Sequence, residues 1–468
     1  MTNREKIKQS FLAKMPRDAI NQFLSRDKTP ASVLVLSCIV GILAGLVGTY
    51  FEVAVHFITE TRTDWLKDEI GSYLPLWLAA FLISAAFAFI GYFLVHRFAP
   101  EAAGSGIPEI EGAMDGMRPV RWWRVLPVKF FGGMGALGSG MVLGREGPTV
   151  QMGGSIGRMV TDIFRVKDDD SRHSLLASGA AGGLAAAFNA PLAGIMFVVE
   201  EMRPQFRYSL ISIKAVIISA VSANIVFRSI NGQSAVITMP QYQPPELSAL
   251  WLFLLLGVLF GIFGVIFNKL ITLSQDMFVA IHKNDRKRYL VTGTLLGGCF
   301  GLLLLYIPEL TGGGIGIIPN VTHGDYSTNV LLLIFLGRVL TTLLCFGSGA
   351  PGGIFAPMLA LGTLFGYAFG LIASALFPEL NIDPGMFAIA GMGALFAATV
   401  RAPITGILLV IEMTNNYYLI LPLIITCLGA VIIAQVLGGQ PIYSQLLNRT
   451  LKNEKLRQQD LPQQEEVR

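Results

Sequence analysis

Residues 144–148, Gly-Arg-Glu-Gly-Pro, set two charged side chains inside an apolar, glycine-rich stretch. That stretch recurs later without its charges. Gly138, Ser139, Gly140, Gly144, Pro148, Gly153 and Gly157 correspond to Gly347, Ser348, Gly349, Gly353, Pro357, Gly362 and Gly366 at a constant offset of 209 residues. Glu146 falls opposite Phe355. A duplicated apolar segment broken by Gly and Pro points to a substrate site between two halves of a membrane transporter. A glutamate kept at such a place is costly and reads as functional. As a carboxylate beside an anion site it competes with the anion for N–H donors. Protonated, it swings clear or carries the proton, so it suits a gate and a proton acceptor at once. The structural alternative, a pair with Arg145, is weak because consecutive helical residues do not face each other.

Two more turns share this chemistry: residues 104–108 (Gly-Ser-Gly-Ile-Pro) and 352–357 (Gly-Gly-Ile-Phe-Ala-Pro). Each precedes or opens an apolar helical stretch, and proline suits a first helical turn. Helix N-termini offer unpaired N–H groups and partial positive charge. Several aimed at one point hold a dehydrated anion without the full charge that would trap it. Ser105 adds a hydroxyl donor, and Tyr443, just after Gly438-Gly439-Gln440-Pro441, adds another. The alternative for any single turn is a packing glycine or a kink. Three turns with an embedded glutamate outweigh it.

Glu200 and Glu201 end another apolar helix. Adjacent glutamates cannot share a helix face, so one points inward and one outward. A second buried carboxylate relays protons; the alternative is an interfacial acid pairing with Arg203 or Arg207. Glu109, Glu111 and Glu412 read as structural or interfacial.

These residues need a membrane scaffold. The chain has 468 residues, 53% hydrophobic and 14% charged, against about 25% charged in soluble domains. Residues 31–51, 73–95, 339–378 and 414–448 contain no Asp, Glu, Lys or Arg. A span needs about 20 apolar residues, so the two longest runs each hold more than one segment. Roughly fourteen to seventeen helical segments follow. Broken helices at that depth require buried protein or a watery cavity to satisfy the backbone. Residues 179–200 match 391–412 at nine identities, Gly179, Ala185, Ala186, Ala190, Pro191, Gly194, Ile195, Val198 and Glu200 recurring 212 positions on. Two homologous halves result, spanning 31–232 and 248–445, joined by a polar loop at 233–247. The duplication alone fits parallel or inverted halves.

Basic residues crowd both ends, which reads as two cytoplasmic termini and an even number of crossings. Residues 1–30 read as a surface-lying amphipathic helix and 446–468 as a short polar tail. The N-terminal segment is not a signal peptide. Cys38, Cys299, Cys345 and Cys427 lie unpaired in apolar runs and read as buried free thiols. Five scattered histidines argue against a metal centre, and no P-loop occurs. No cofactor is expected. An intramembrane enzyme using Glu146 and Glu201 as an acid/base pair lacks a nucleophile or metal set.

The three motifs at 104–108, 144–148 and 353–357, taken in order, resemble the signatures of the CLC chloride channel and transporter family. The similarity runs over nearly the whole chain. It implies an all-α polytopic membrane protein of two inverted-topology repeats built from broken, tilted helices. It implies a homodimer in membrane lipid with one ion path per subunit, moving chloride and protons. By this resemblance Ser105, Tyr443 and the backbone N–H groups of Ile354 and Phe355 bind chloride. Glu146 becomes the gating and external proton glutamate and Glu201 the internal proton glutamate. Family channels generally lack an acid at the latter position, so an exchanger in the bacterial inner membrane is favoured over a passive channel. Serine at 105 fits chloride, and no nucleotide regulation is expected.

Overall fold

A computed structural model of the chain describes residues 32–66, 74–202, 205–283 and 285–465. The amphipathic helix expected before residue 31 lies outside the described residues. Among the described residues the regular structure is helical. The first half comprises α1 (Ser32–Asp64), α2 (Leu76–Phe98), α3 (Ile107–Met114), α4 (Trp122–Gly138), α5 (Glu146–Ile163), α6 (Asp169–Phe188), α7 (Pro191–Glu200) and α8 (Leu210–Asn231). The second comprises α9 (Leu250–His282), α10 (Arg286–Tyr306), α11 (Ile317–Thr322), α12 (Thr328–Gly347), α13 (Phe355–Leu376), α14 (Pro384–Val400), α15 (Pro403–Thr414) and α16 (Ile420–Val436), followed by α17 (Ile442–Glu465). Eight of these helices are long and apolar enough to cross a membrane. Helices α3, α7, α11 and α15 are short.

The duplication is visible in the packing. In each half the glycine-broken helix lies against the next one: α5 on α6, α13 on α14. A side chain at Gly153 would strike the carbonyl of Gly179, and one at Gly362 would strike that of Gly391. These are equivalent pairs, so the same backbone-to-backbone approach is built twice. Helix α6 ends at Asn189 (φ 53°) and α14 at its counterpart Arg401 (φ 72°), both left-handed. After one alanine, Pro191 and Pro403 open the next helices with the fixed φ that suits a first turn.

The two halves meet at equivalent residues. Gly144 and Gly353 form an antiparallel bridge, each N–H donating to the other's carbonyl at 2.7 Å. A residue that pairs antiparallel with its own repeat counterpart lies beside a local two-fold axis. The helices that follow, α5 and α13, therefore bring their N-termini together from opposite directions. This is the inverted arrangement of the repeats.

Residues 232–246 connect α8 to the 3-10 turn Leu247–Ala249. Ile237 donates to the carbonyl of Met413 at 3.0 Å, and Tyr242 N–H donates to Asn416 Oδ1 at 3.0 Å. The expected tail boundary at 446 cuts through α17, whose start at Ile442 is buried in the core. The cysteines are free, but only Cys345 and Cys427 are buried. Cys38 is half-buried and Cys299 is exposed on α10, because an apolar run in a bilayer need not face protein.

Candidate functional site

Glu146 is the first residue of α5 and is fully buried. Its carboxylate folds back over Gly144, where a side chain would come within 3.0 Å of the Glu146 carboxyl carbon. It faces the backbone N–H groups of Arg145 and Glu146 itself, and that of Ala356 from the other half. It is close to all three without completing an aligned hydrogen bond to any. An acidic group thus stands at the shared N-terminal end of two helices, where orphan N–H groups and dipoles favour its charged form. Arg145 is committed elsewhere, to an ion pair with Glu52.

The second glycine loop lies just beneath. Ser105 is 3% exposed, and its hydroxyl has no protein partner. Gly106 takes φ +86° to open α3. The loop touches α5 at Gly147, where a side chain would come within 3.1 Å of Ser105 Cα. Only glycine lets the two approach so closely. Tyr443, at the start of α17, is fully buried and its hydroxyl is likewise unpartnered. That hydroxyl lies close to Ser105 and within electrostatic reach of Glu146 and Glu201. The ring stacks on Phe355 with centroids 6.0 Å apart, and Phe355 also meets Phe396 at 4.6 Å. Ile354 and Phe355 are the cap and first residue of α13, where N–H groups lack helical acceptors.

Two cavities reach this cluster. One of about 550 Å³ is lined by Glu146, Gly144, Arg145, Arg62, Arg338 and the glycines at 312–314. The other, about 360 Å³, is lined by Ser105, Gly106, Pro108, His282, Ser348 and Arg449. Glu146 and Ser105 are the ends that these cavities touch. Tyr443 and Phe355 line neither of these two cavities.

The paired glutamates separate as their adjacency demands. Glu200 crosses to the other half and accepts from Ile404 N (3.1 Å), Thr405 N (2.7 Å) and Thr405 Oγ1 (2.9 Å). Its counterpart Glu412 returns the contact, accepting from Leu192 N (3.1 Å) and Ala193 N (2.9 Å). Each half therefore caps the short helix of the other, with an anion at a helix N-terminus. Glu201 is 7% exposed with Oε1 unpartnered. Arg207 does not reach it; Arg207 binds Asp169 (2.7 Å) and Asp170 (2.8 Å) at the start of α6. The Arg207 guanidinium holds the Asp169 carboxyl below its usual range.

Glu109 is structural as expected of it, held by Arg118 through bonds of 2.8 and 3.0 Å. Glu111 is not interfacial. It is 1% exposed, with both oxygens unpartnered, and lies within electrostatic reach of Glu201 and Tyr443. Two positions apart on a helix, the two acids face opposite ways, one toward Arg118 and one into the core.

A sequence profile described as voltage gated chloride channel matches residues 86–435. The chain belongs to this family. A CLC-family chain of this sort has full-length relatives. It is 83% identical over 465 residues to a Vibrio vulnificus protein named "H(+)/Cl(-) exchange transporter ClcA", covering 99% of this chain and 100% of that one. It is 58% identical to a Klebsiella pneumoniae protein of the same name, covering 96% and 95%. Among solved structures, a slow cyanobacterial Cl-/H+ antiporter matches with 43% identity and a TM-score of 0.87, covering 92% of this chain and 100% of that one.

One repeat of the family fold escaped the sequence reading. Pro100, Glu101, Gly104, Gly106 and Ile107 recur as Pro308, Glu309, Gly312, Gly314 and Ile315, 208 positions on. The match holds in the backbone: Gly104 and Gly312 take φ 60° and 65°, Gly106 and Gly314 take 86° and 93°. A 3-10 turn opening on Pro-Glu precedes both. The offset was the available signal, and the short length of the motif hid it. Ser105 falls opposite Gly313.

Proposed function

We propose that the chain is a secondary active antiporter that exchanges chloride for protons across the bacterial inner membrane. The observation that carries this reading is Glu146, a buried carboxylate at the joint N-termini of α5 and α13, reached by one cavity and backed by the unpartnered hydroxyls of Ser105 and Tyr443. A carboxylate there takes the place an anion would take. Protonation removes its claim on the N–H groups, so an anion enters as the proton is gained. One side chain thus couples the two fluxes. Chloride binds at Ser105 and Tyr443, with the Ile354 and Phe355 N–H groups as further donors. Hydrogen bonds to a dehydrated halide, rather than a full positive charge, permit release.

Glu201 is the internal proton acceptor. It lines neither of the two cavities described above, which fits a proton route that leaves the chloride route before the far side. The full-length relatives named as exchangers support antiport over a passive channel. The family is one of transporters, and the site needs no cofactor or catalytic nucleophile. The family resemblance carries the further expectation of a homodimer whose subunits each hold a complete path. The basic residues at the two ends of the sequence support cytoplasmic termini, and the eight apolar helices supply the multi-pass frame. Simultaneous chloride and proton flux from purified protein in liposomes tests the reading. An exchanger moves both in fixed proportion; chloride flux with no proton flux makes the chain a channel.

A further inference from the structure

Two cations are buried in equivalent places. Lys129 on α4 is 0% exposed and Arg338 on α12 is 1% exposed. Their offset is 338 − 129 = 209, that of the helix-opening motifs. Lys129 Nζ donates to the carbonyls of Ala102 (3.0 Å) and Gly104 (2.6 Å). Arg338 donates to the carbonyls of Glu309 (2.7 Å), Thr311 (3.0 Å) and Gly312 (2.8 Å). The acceptor they share is the first glycine of the duplicated loop, Gly104 in one half and Gly312 in the other. Neither cation forms an ion pair among the described residues. The acid nearest in influence to Lys129 is Glu109, which is already held in a two-point bond by Arg118.

A buried ammonium held only by carbonyl groups is costly, because dipoles compensate a full charge incompletely. An anion bound nearby would lower that cost. The residue after its shared acceptor is Ser105, whose buried hydroxyl has no protein partner. From this geometry we infer that Lys129 is a positioning residue for the central anion site. It fixes the Gly104 carbonyl, so the Ser105 hydroxyl is held facing the ion path. Its charge acts on the bound anion through a low-dielectric interior, where such interactions are screened least. Arg338 does the same for a loop that carries glycine where the first carries serine. It therefore shapes the mouth of the Glu146 cavity and not the central site. The inference rests on the reading of Ser105 as a chloride ligand.

The repeat supplies its own control, since both cations are equally buried and both hold a glycine loop. Chloride binding to the purified full-length protein is measured by calorimetry for Lys129→Met, Lys129→Arg and Arg338→Met. Lys129→Met is expected to weaken chloride about tenfold or more, Lys129→Arg to stay within about threefold of the parent, and Arg338→Met to lose clearly less affinity than Lys129→Met. Lys129→Met should also lower the chloride-over-nitrate preference in flux assays, which general loosening of the fold would not do selectively. If Lys129→Met does not fold, Lys129→Gln keeps an amide donor, removes the charge and carries the same expectation. Parent-like affinity in the uncharged variant overturns the inference. An equal loss in Arg338→Met also overturns it, because any buried cation would then serve. Failure of the parent protein to bind chloride would instead sink the exchanger reading itself.

Discussion

The two halves of this molecule share a scaffold and differ in chemistry. Each has a glycine loop held by a buried cation, a helix-opening glycine bridged to its counterpart, a helix pair packed backbone to backbone, and a glutamate capping the other half's short helix. On this common frame the first half carries Glu146 and Ser105 where the second carries Phe355 and Gly313. The duplicated parts are those that present helix N-termini to a point between the halves. The single-copy parts titrate or donate a hydroxyl. On the reading proposed above, the symmetric frame would make an anion site, and the asymmetric side chains would make it a gated, proton-linked one.

Glu146→Gln breaks the asymmetry most severely. The neutral side chain mimics the protonated gate, so proton flux should fall to background and chloride flux should persist with little pH dependence. Parallel pH-electrode and chloride-electrode recordings from liposomes check this, and parent-like proton pumping would remove Glu146 from the mechanism. Glu201→Gln should also abolish proton transport while chloride still binds and moves. Loss of both fluxes in a folded protein would make Glu201 structural; retained coupling would place the internal acceptor elsewhere, with buried Glu111 the next residue to change.

Smaller effects test the hydroxyl donors. A hydrogen bond to a charged group is worth about 1.5–3 kcal/mol, so Tyr443→Ala should weaken chloride binding by about tenfold or more. It should also loosen coupling, because a less well-held anion slips through without a proton. Ser105→Gly installs in the first loop the residue that the second loop already has. It should cost affinity on the same scale and shift preference away from chloride toward nitrate. Calorimetry and flux in the two anions read both variants.

The smallest effect concerns the reciprocal caps. Glu412→Gln and Glu200→Gln each remove a charge from a helix N-terminus, at a cost of about 0.3–2 kcal/mol. Glu200, with three accepted bonds against two for Glu412, should cost more. Thermal unfolding in detergent measures the order, and a reversed order would contradict the capping account.

Much of this frame was legible in the sequence because glycine and proline positions survive duplication. The turns at 104–108, 144–148 and 352–357 announced helix openings, and the matched offsets announced two halves. Glu146 stood out because a charge in an apolar repeat has no bland use. Glu111 did not, because its burial depends on how α3 rotates between α5 and α17, which eight residues of sequence do not reveal. The caps made by Glu200 and Glu412 were hidden for a related reason. Each reaches a partner more than 200 residues away, and only the fold sets that distance. Lys129 lies in no motif that marks it in the sequence. Its role emerges once its carbonyl acceptors and its counterpart Arg338 are seen together.

The central claim is that one buried carboxylate between the halves links two ions. Its most direct test is a proteoliposome carrying an outward chloride gradient and no proton gradient. The account predicts that chloride leaving the liposome drives protons inward, uphill once a gradient has formed, and that Glu146→Gln abolishes this movement while chloride still leaves. Chloride efflux from the parent protein without any uphill proton uptake would contradict it.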